Sequence, residues 1–223
     1  MNDSDFLKLM QQSQPVIKTV FVDIGGVLLS NSWDSNCVKD SVNYFGIEGE
    51  EVLFRHTEVA SLYYCGKISL DEYIKYVVFF TERNFGCDEF KNFVFGHSSA
   101  HEEMIKYIKF LRGHFRLKIV ALNNEGRELN EFRIKKFKLH DFVDTFISSS
   151  YLKLCKPDPE FYKIALDISG SDSSEVVYIE ERELMAAIAG KLGIKTVLHS
   201  NYKNTRKEVE KLGFYLPEET LFG

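Results

Sequence analysis

The chain has 223 residues, a formal net charge of −5 and a composition that is 44% hydrophobic and 27% charged. Such a length suits one large domain, or a core carrying a smaller insertion. The mild acidity gives no footing for a nucleic-acid or membrane-surface partner, no apolar run is long enough to span a bilayer, and no basic-then-apolar secretion signal is legible. Cys37, Cys65, Cys87 and Cys155 are scattered, without a C-x-x-C pair or metal-ligand spacing. They are expected to be reduced thiols, mostly buried, in a cytoplasmic protein.

In chain order, residues 4–14 suit a short helix ended by Pro15. Residues 16–22 form an apolar, β-branched run that reads as a buried parallel strand. It delivers Asp23 and then Gly25-Gly26, which let the backbone turn sharply and approach a ligand. Trp33, in a polar loop, is expected to pack against a helix. Residues 36–99 read as helical throughout. One helix ends near Phe45 before Gly46, and a second covers 50–65 and stops at Gly66. A third opens on the capping box Ser69-Leu70-Asp71-Glu72, and a short fourth covers 88–95. So many aromatic-rich helices exceed a crossover between two strands and read as an inserted cap.

A helix over 102–111 follows. Strands at 117–122, 142–148, 176–179 and 194–198 then alternate with helices at 127–137, 160–168 and 184–192, before a polar helix near 205–211. The second of these interposed helices begins with Asp158-Pro159, a cap residue and a first-turn proline. Repeated β-α units imply an α/β fold with a doubly wound parallel sheet. Residues 16–33 and 100–223 make its core, and 34–99 the helical cap.

A parallel sheet gathers chemistry at the carboxyl ends of its strands. Asp23 lies at the first such end, Asn123 and Asn124 at the second, Glu180 and Glu181 at the fourth, and Lys156 in the loop after the third. Singly these read as a turn acid, capping glutamates and a loop lysine. Together, three carboxylates in one crevice repel unless a divalent cation joins them, and an all-oxygen ligand set favours Mg2+. Mg2+ beside Lys156 makes a receptor for a phosphoryl group, whose phosphorus the free oxygen of Asp23 attacks. Asn123 and Asn124 are expected to donate hydrogen bonds to its oxygens.

These residues resemble the haloacid dehalogenase-like (HAD) hydrolase superfamily, from about residue 17 to 199. Phe21-Val22-Asp23-Ile24-Gly25-Gly26-Val27-Leu28 is similar to its first motif and Val120-Ala121-Leu122-Asn123-Asn124 to the second. Lys156-Pro157-Asp158-Pro159 is similar to the third, Tyr178-Ile179-Glu180-Glu181-Arg182 to the fourth, and the helical insertion to a type 1 cap. The resemblance implies a Rossmann-like core and a small phosphorylated metabolite hydrolysed through an aspartyl-phosphate. Asp23 becomes the nucleophile, with Asn123 and Lys156 as catalytic partners. Mg2+ is then held by Asp23, the carbonyl of Gly25, and Glu181 with Glu180 beside it.

Three positions depart from that pattern. Gly25 stands where related phosphatases carry a second Asp as acid and base. Losing such a group costs roughly 10²–10⁴ in rate, and His56 of the cap is the expected substitute. Asn123 replaces a hydroxyl residue, and Glu180-Glu181 replaces Asp-Asp or Gly-Asp, one methylene longer for an ion that tolerates poor geometry badly. The alternative is therefore an impaired member that binds a phosphorylated ligand or a protein partner without turnover. A metal-independent dehalogenase is a third reading. A dinucleotide oxidoreductase is disfavoured, because Gly25-Gly26 does not fit G-x-G-x-x-G spacing. Oligomeric state has no signature in the sequence.

Overall fold

The apolar run before Asp23 forms β1 (Thr19–Val22), buried at every position, as a strand covered on both faces must be. It occupies the centre of a five-stranded parallel sheet with β2 (Lys118–Asn123), β3 (Thr145–Ser148), β4 (Val176–Glu180) and β5 (Lys195–Leu198), in the order β3-β2-β1-β4-β5. The structure is a computed structural model describing residues 17–31 and 33–215. The helix expected over 4–14 lies outside those residues.

Between β1 and β2 the chain winds α1 (Ser35–Phe45), α2 (Gly49–Tyr64), α3 (Leu70–Val77), α4 (Cys87–Gly96) and α5 (Glu102–Phe115). After β2 come α6 (Arg127–Lys136), α7 (Ser149–Leu152), α8 (Pro159–Ser169), α9 (Glu183–Lys191) and α10 (Tyr202–Glu210). Local chemistry explains where these start and stop. Both halves of the Ser69–Glu72 capping box form at the head of α3, and Gly46 takes the left-handed conformation that ends α1. α5 outruns its expected end and stops at Arg116, which turns left-handed with no glycine to announce it. β3 starts at Thr145, later than expected, because the N–H groups of Phe142 and Val143 bond back to the Leu139 carbonyl and close the 3-10 turn over Leu139–Asp141. α10 starts early because the Asn201 side chain caps it by accepting from the Asn204 N–H.

Alternation along the strands divides the core into two layers. Val20, Val22, Ile119, Ala121, Val177 and Ile179 face α5 and α10, packing on Ile108, Leu111 and Val209. Phe21, Val120, Leu122 and Tyr178 face α8 and α9, packing on Phe161, Ala165 and Ala189. Helices α1 to α4 share a separate apolar cluster around Trp33, Tyr73, Ile74, Val77, Phe90 and Val94, which meets Leu129 and Phe132 of α6. Trp33 packs inside this cluster, donating its indole N–H to the Tyr73 hydroxyl at 3.0 Å and lying edge-on to Phe90.

The seam between cap helices and core is closely fitted. Ser149 donates to the Tyr64 carbonyl at 2.6 Å, and the Leu70 N–H to Glu128 Oε1 at 3.0 Å. Tyr63 lies so close to the loop after β2 that a Cβ on Gly126 would fall 2.0 Å from its ring, so only glycine fits there. One expectation is corrected at this seam. Cys65 and Cys155 are not thiols but a disulfide, while Cys37 and Cys87 remain free. The fold brings the end of α2 over the loop before Lys156 and sets the two Cα atoms 5.8 Å apart, within bridging range, although 90 residues separate them in sequence. The cytoplasmic placement, drawn from four free thiols, loses that support. No helix among the described residues is long and apolar enough to cross a membrane.

Closing a loop of that length contributes on the order of 4 kcal/mol in a chain-entropy account. Thiol titration of the unreduced protein in denaturant should therefore count Cys37 and Cys87 alone, and all four cysteines after reduction. Reduction should lower the urea midpoint of the folded protein.

Candidate active site

Strand register sets the site. Val22 is level with Ala121 on one side and Ile179 on the other, so Asp23 emerges between Leu122 and Glu180. The sheet order reverses between β1 and β4, the place where open α/β sheets form their binding crevice. Asp23, Gly25, Asn123, Lys156 and Glu181 line this crevice from the core, and Trp33, Asp34, Tyr63 and Tyr64 line it from the cap side.

Lys156 is the hub. Its ammonium lies 2.9 Å from Asp23 Oδ2, 2.9 Å from Glu180 Oε2, 2.9 Å from the Tyr178 hydroxyl and 3.1 Å from the Leu122 carbonyl. Lys156 is 4% exposed and Glu180 fully buried. Burial alone would lower the pKa of Lys156, but the charges of Asp23 and Glu180 more than offset it and hold the group cationic. Glu180 also accepts from the Tyr178 hydroxyl and from the Arg182 N–H at 3.0 Å. Burial pushes its pKa up, yet Lys156 outweighs that and brings it down to about 2. Sequence reasoning made Glu180 a metal ligand. Its oxygens bond Lys156, the Tyr178 hydroxyl and the Arg182 N–H, so it is a counter-ion of Lys156 as well as a member of the carboxylate cluster.

Glu181 is different. Its Oε2 is buried and has no hydrogen-bond partner among the described residues. The side chain lies across Gly26, whose φ of 77° and lack of a Cβ leave the room: a Cβ there would sit 2.6 Å from the carboxylate carbon. Burial, followed by the charge of Asp23, raises the pKa of Glu181 to about 9. Burial likewise raises Asp23 to about 7, against the opposing charge of Lys156. Oxygens of Asp23, Glu180 and Glu181 lie within 4.8 Å of one another. Three crowded carboxylates, one ammonium and an open buried carboxylate oxygen suit a hard divalent cation. Without one, the site balances its charge by holding protons.

Asn123 and Asn124 take different parts. Asn123 donates its amide to Asn130 Oδ1 at 2.9 Å, Asn130 donates to the Tyr151 hydroxyl at 3.0 Å, and Asn123 Oδ1 is buried without a partner. Turning both amides over keeps both contacts and presents the Asn123 N–H to the crevice. Asn124, expected to contact substrate, lines the crevice, and its two amide atoms clamp the backbone of Lys156, donating to its carbonyl at 2.7 Å and accepting from its N–H at 2.9 Å. It positions the lysine loop. His56 is also not where an acid or base is needed: its ring bonds the Tyr73 hydroxyl at 2.7 Å, and it does not line the crevice.

Sequence reasoning missed Glu125 and Arg133, both buried in the crevice wall and paired at 2.5 Å. The available signal was a carboxylate two residues beyond Asn123, just past a strand end.

Replacing Lys156 by Ala strands Asp23 and Glu180 without a counter-charge, and should cost about 3–5 kcal/mol in urea denaturation. The raised pKa values of Asp23 and Glu181 mean that the folded state holds protons the unfolded chain has released. Their stabilising contribution is full below about pH 4 and is lost as pH rises through about 7 and then about 9. Melting temperature measured in a chelator should therefore fall by several degrees from pH 5 to pH 9.

Comparison with known proteins completes the picture. The profile of the haloacid dehalogenase-like hydrolase family matches residues 17–191. The (S)-2-haloacid dehalogenase 4A of Burkholderia cepacia is 31% identical over 104 residues, covering 44% of this chain and 45% of that protein, so the match spans less than half of the relative. A HAD family enzyme of Bacteroides thetaiotaomicron, solved in complex with magnesium and inorganic phosphate, superposes with a TM-score of 0.71 at 20% identity, over 83% of this chain and 95% of that one. The L-2-haloacid dehalogenase of Xanthobacter autotrophicus, solved with chloropropionic acid covalently bound, superposes with a TM-score of 0.58 at 16% identity, over 92% and 87%. From its strand-end motifs, its parallel core and the matched profile, this chain belongs to the haloacid dehalogenase-like hydrolase family.

Proposed function

We propose that the protein is a Mg2+-dependent phosphatase of a small phosphorylated metabolite, working through an aspartyl-phosphate on Asp23. The observation that carries this reading is the pairing of an oriented nucleophile with an open ligand oxygen. Lys156 and the Ile24 N–H, 2.7 Å from Oδ1, fix the Asp23 carboxylate, and Glu181 Oε2 stands by without a partner. The bound magnesium and phosphate of the Bacteroides relative support it. Asp23, Glu181 and the carbonyl of Gly25 would hold the cation, which supplies positive charge to the phosphoryl oxygens.

The chain's own residues do the rest. Asp23 attacks phosphorus in line, forming an O–P bond as the ester O–P bond breaks, and the leaving oxygen departs with the bonding pair and takes a proton from water. Lys156 lends positive charge and the turned amide of Asn123 a hydrogen bond to the transferring oxygens, and Asn124 keeps the lysine loop in place. Water then attacks the aspartyl-phosphate, releasing inorganic phosphate and restoring the carboxylate. Trp33, Tyr63 and Tyr64 close the crevice on the cap side, which limits the substrate to a small one.

The second reading is a haloacid dehalogenase, favoured by the Burkholderia and Xanthobacter relatives. An Asp nucleophile displaces halide from carbon without a cation, but the buried Glu181 Oε2, which has no partner among the described residues, then has no metal to bind. Phosphate release from p-nitrophenyl phosphate should require Mg2+, fall to background in Asp23→Asn, and be silenced by chelator. Turnover that survives Asp23→Asn would sink the mechanism. Metal-independent chloride release from 2-chloropropionate would establish the second reading instead.

A further inference from the structure

We infer that Glu125 supplies the general base that Gly25 lacks, activating the water that hydrolyses the aspartyl-phosphate. This rests on the phosphatase reading and names the residue serving its second step. A Cβ built on Gly25 would lie 3.3 Å from Asn31 Oδ1 and 4.0 Å from Arg133 Nη1. The space an acid side chain would extend into is therefore bordered by Arg133, and Arg133 Nη1 in turn holds Glu125 Oε1 at 2.5 Å. A carboxylate stands beside the gap, delivered from the loop after β2 rather than from the loop after β1.

Its placement is rigid. The Glu125 N–H donates to Ser149 Oγ at 2.9 Å, and Arg133 is braced by the Ser30 carbonyl at 2.5 Å. Glu125, Arg133, Asp23 and Gly25 line the same crevice. From the cap, Tyr63 and Tyr64 lie in the field of the Glu125 charge, and the Tyr63 hydroxyl is buried without a hydrogen-bond partner among the described residues. A purely structural role explains this poorly. Taking both charges out of water costs several kcal/mol per ion, and apolar residues of similar volume often hold such a junction as well or better. A fixed carboxylate in the wall of the crevice that Asp23 also lines is what general-base catalysis requires.

The step balances without a co-reactant. Glu125 takes a proton from water as the water oxygen bonds to phosphorus. The bond from phosphorus to the Asp23 oxygen breaks, and Asp23 leaves as carboxylate. Phosphate departs, and the Glu125 proton passes to solvent or to the next leaving alcohol.

p-Nitrophenyl phosphate with Mg2+ separates the two steps, because p-nitrophenolate departs without an acid. Glu125→Gln keeps a hydrogen-bonding oxygen for Arg133 and removes the base. It should release one equivalent of p-nitrophenol in a burst and then turn over roughly 10²–10⁴-fold more slowly than wild type. Intact-mass spectrometry during the stall should find the chain one phosphoryl group heavier. Glu125→Asp keeps the charge opposite Arg133 but withdraws it by a methylene, and should show a milder stall if the Gln variant does not fold. A folded Gln or Asp variant within about threefold of wild type overturns the inference, as does a loss of burst and turnover together in a folded variant. Either result leaves the phosphatase reading intact, provided Asp23→Asn is dead. Wild-type protein that releases no p-nitrophenol overturns that reading, and this inference with it.

Discussion

A single buried ammonium organises the catalytic end of this molecule. Lys156 touches the carboxylates of Asp23 and Glu180, the Tyr178 hydroxyl and a strand carbonyl, so it ties β1, β2 and β4 to the loop after β3. Burying one cation among two carboxylates is tolerable only because each proton of the ammonium finds an acceptor and each oxygen of Glu180 a donor. With Lys156 satisfied by Glu180, Glu181 keeps an uncommitted oxygen for another partner. The two adjacent glutamates thus divide their work, one neutralising the lysine and one remaining open.

That division was only half legible in the sequence. The order of strand-end residues was readable because a parallel sheet converts chain order into neighbourhood: Asp23, Asn123, Lys156 and Glu181 do line one crevice. Cap signals such as Ser69–Glu72 and Gly46 were equally local and equally readable. What stayed hidden depends on where a side chain points. Glu180 and Glu181 are consecutive, yet one lies in the sheet interior and the other over Gly26. Nothing in the chain order shows that the two amide atoms of Asn124 clamp the backbone of Lys156. Helix boundaries slipped where the stop was a left-handed Arg116 rather than a glycine.

The Glu125–Arg133 pair shows the same limit from the other side. Its members are eight residues apart, joined through the turn into α6, and no periodicity connects them. Gly25 read alone marks an omission. Gly25 with Arg133 and Asn31 around it marks a space whose neighbours carry the chemistry. Adjoining strand ends open onto the same crevice, so a side chain missing from one can have a neighbour delivered from the other.

The disulfide has a mechanical meaning. The cap leaves the core after Asn31 and returns at Ala100, and these two crossings run side by side, joined by the Ser30 N–H to the Ser99 carbonyl. Two adjacent tethers define a hinge line about which an inserted domain can swing. The Cys65–Cys155 bond adds a third tether beside Lys156, away from that line. While the bond is closed, the end of α2 is covalently fastened to the loop before Lys156, so two walls of the crevice belong to one ring of the chain.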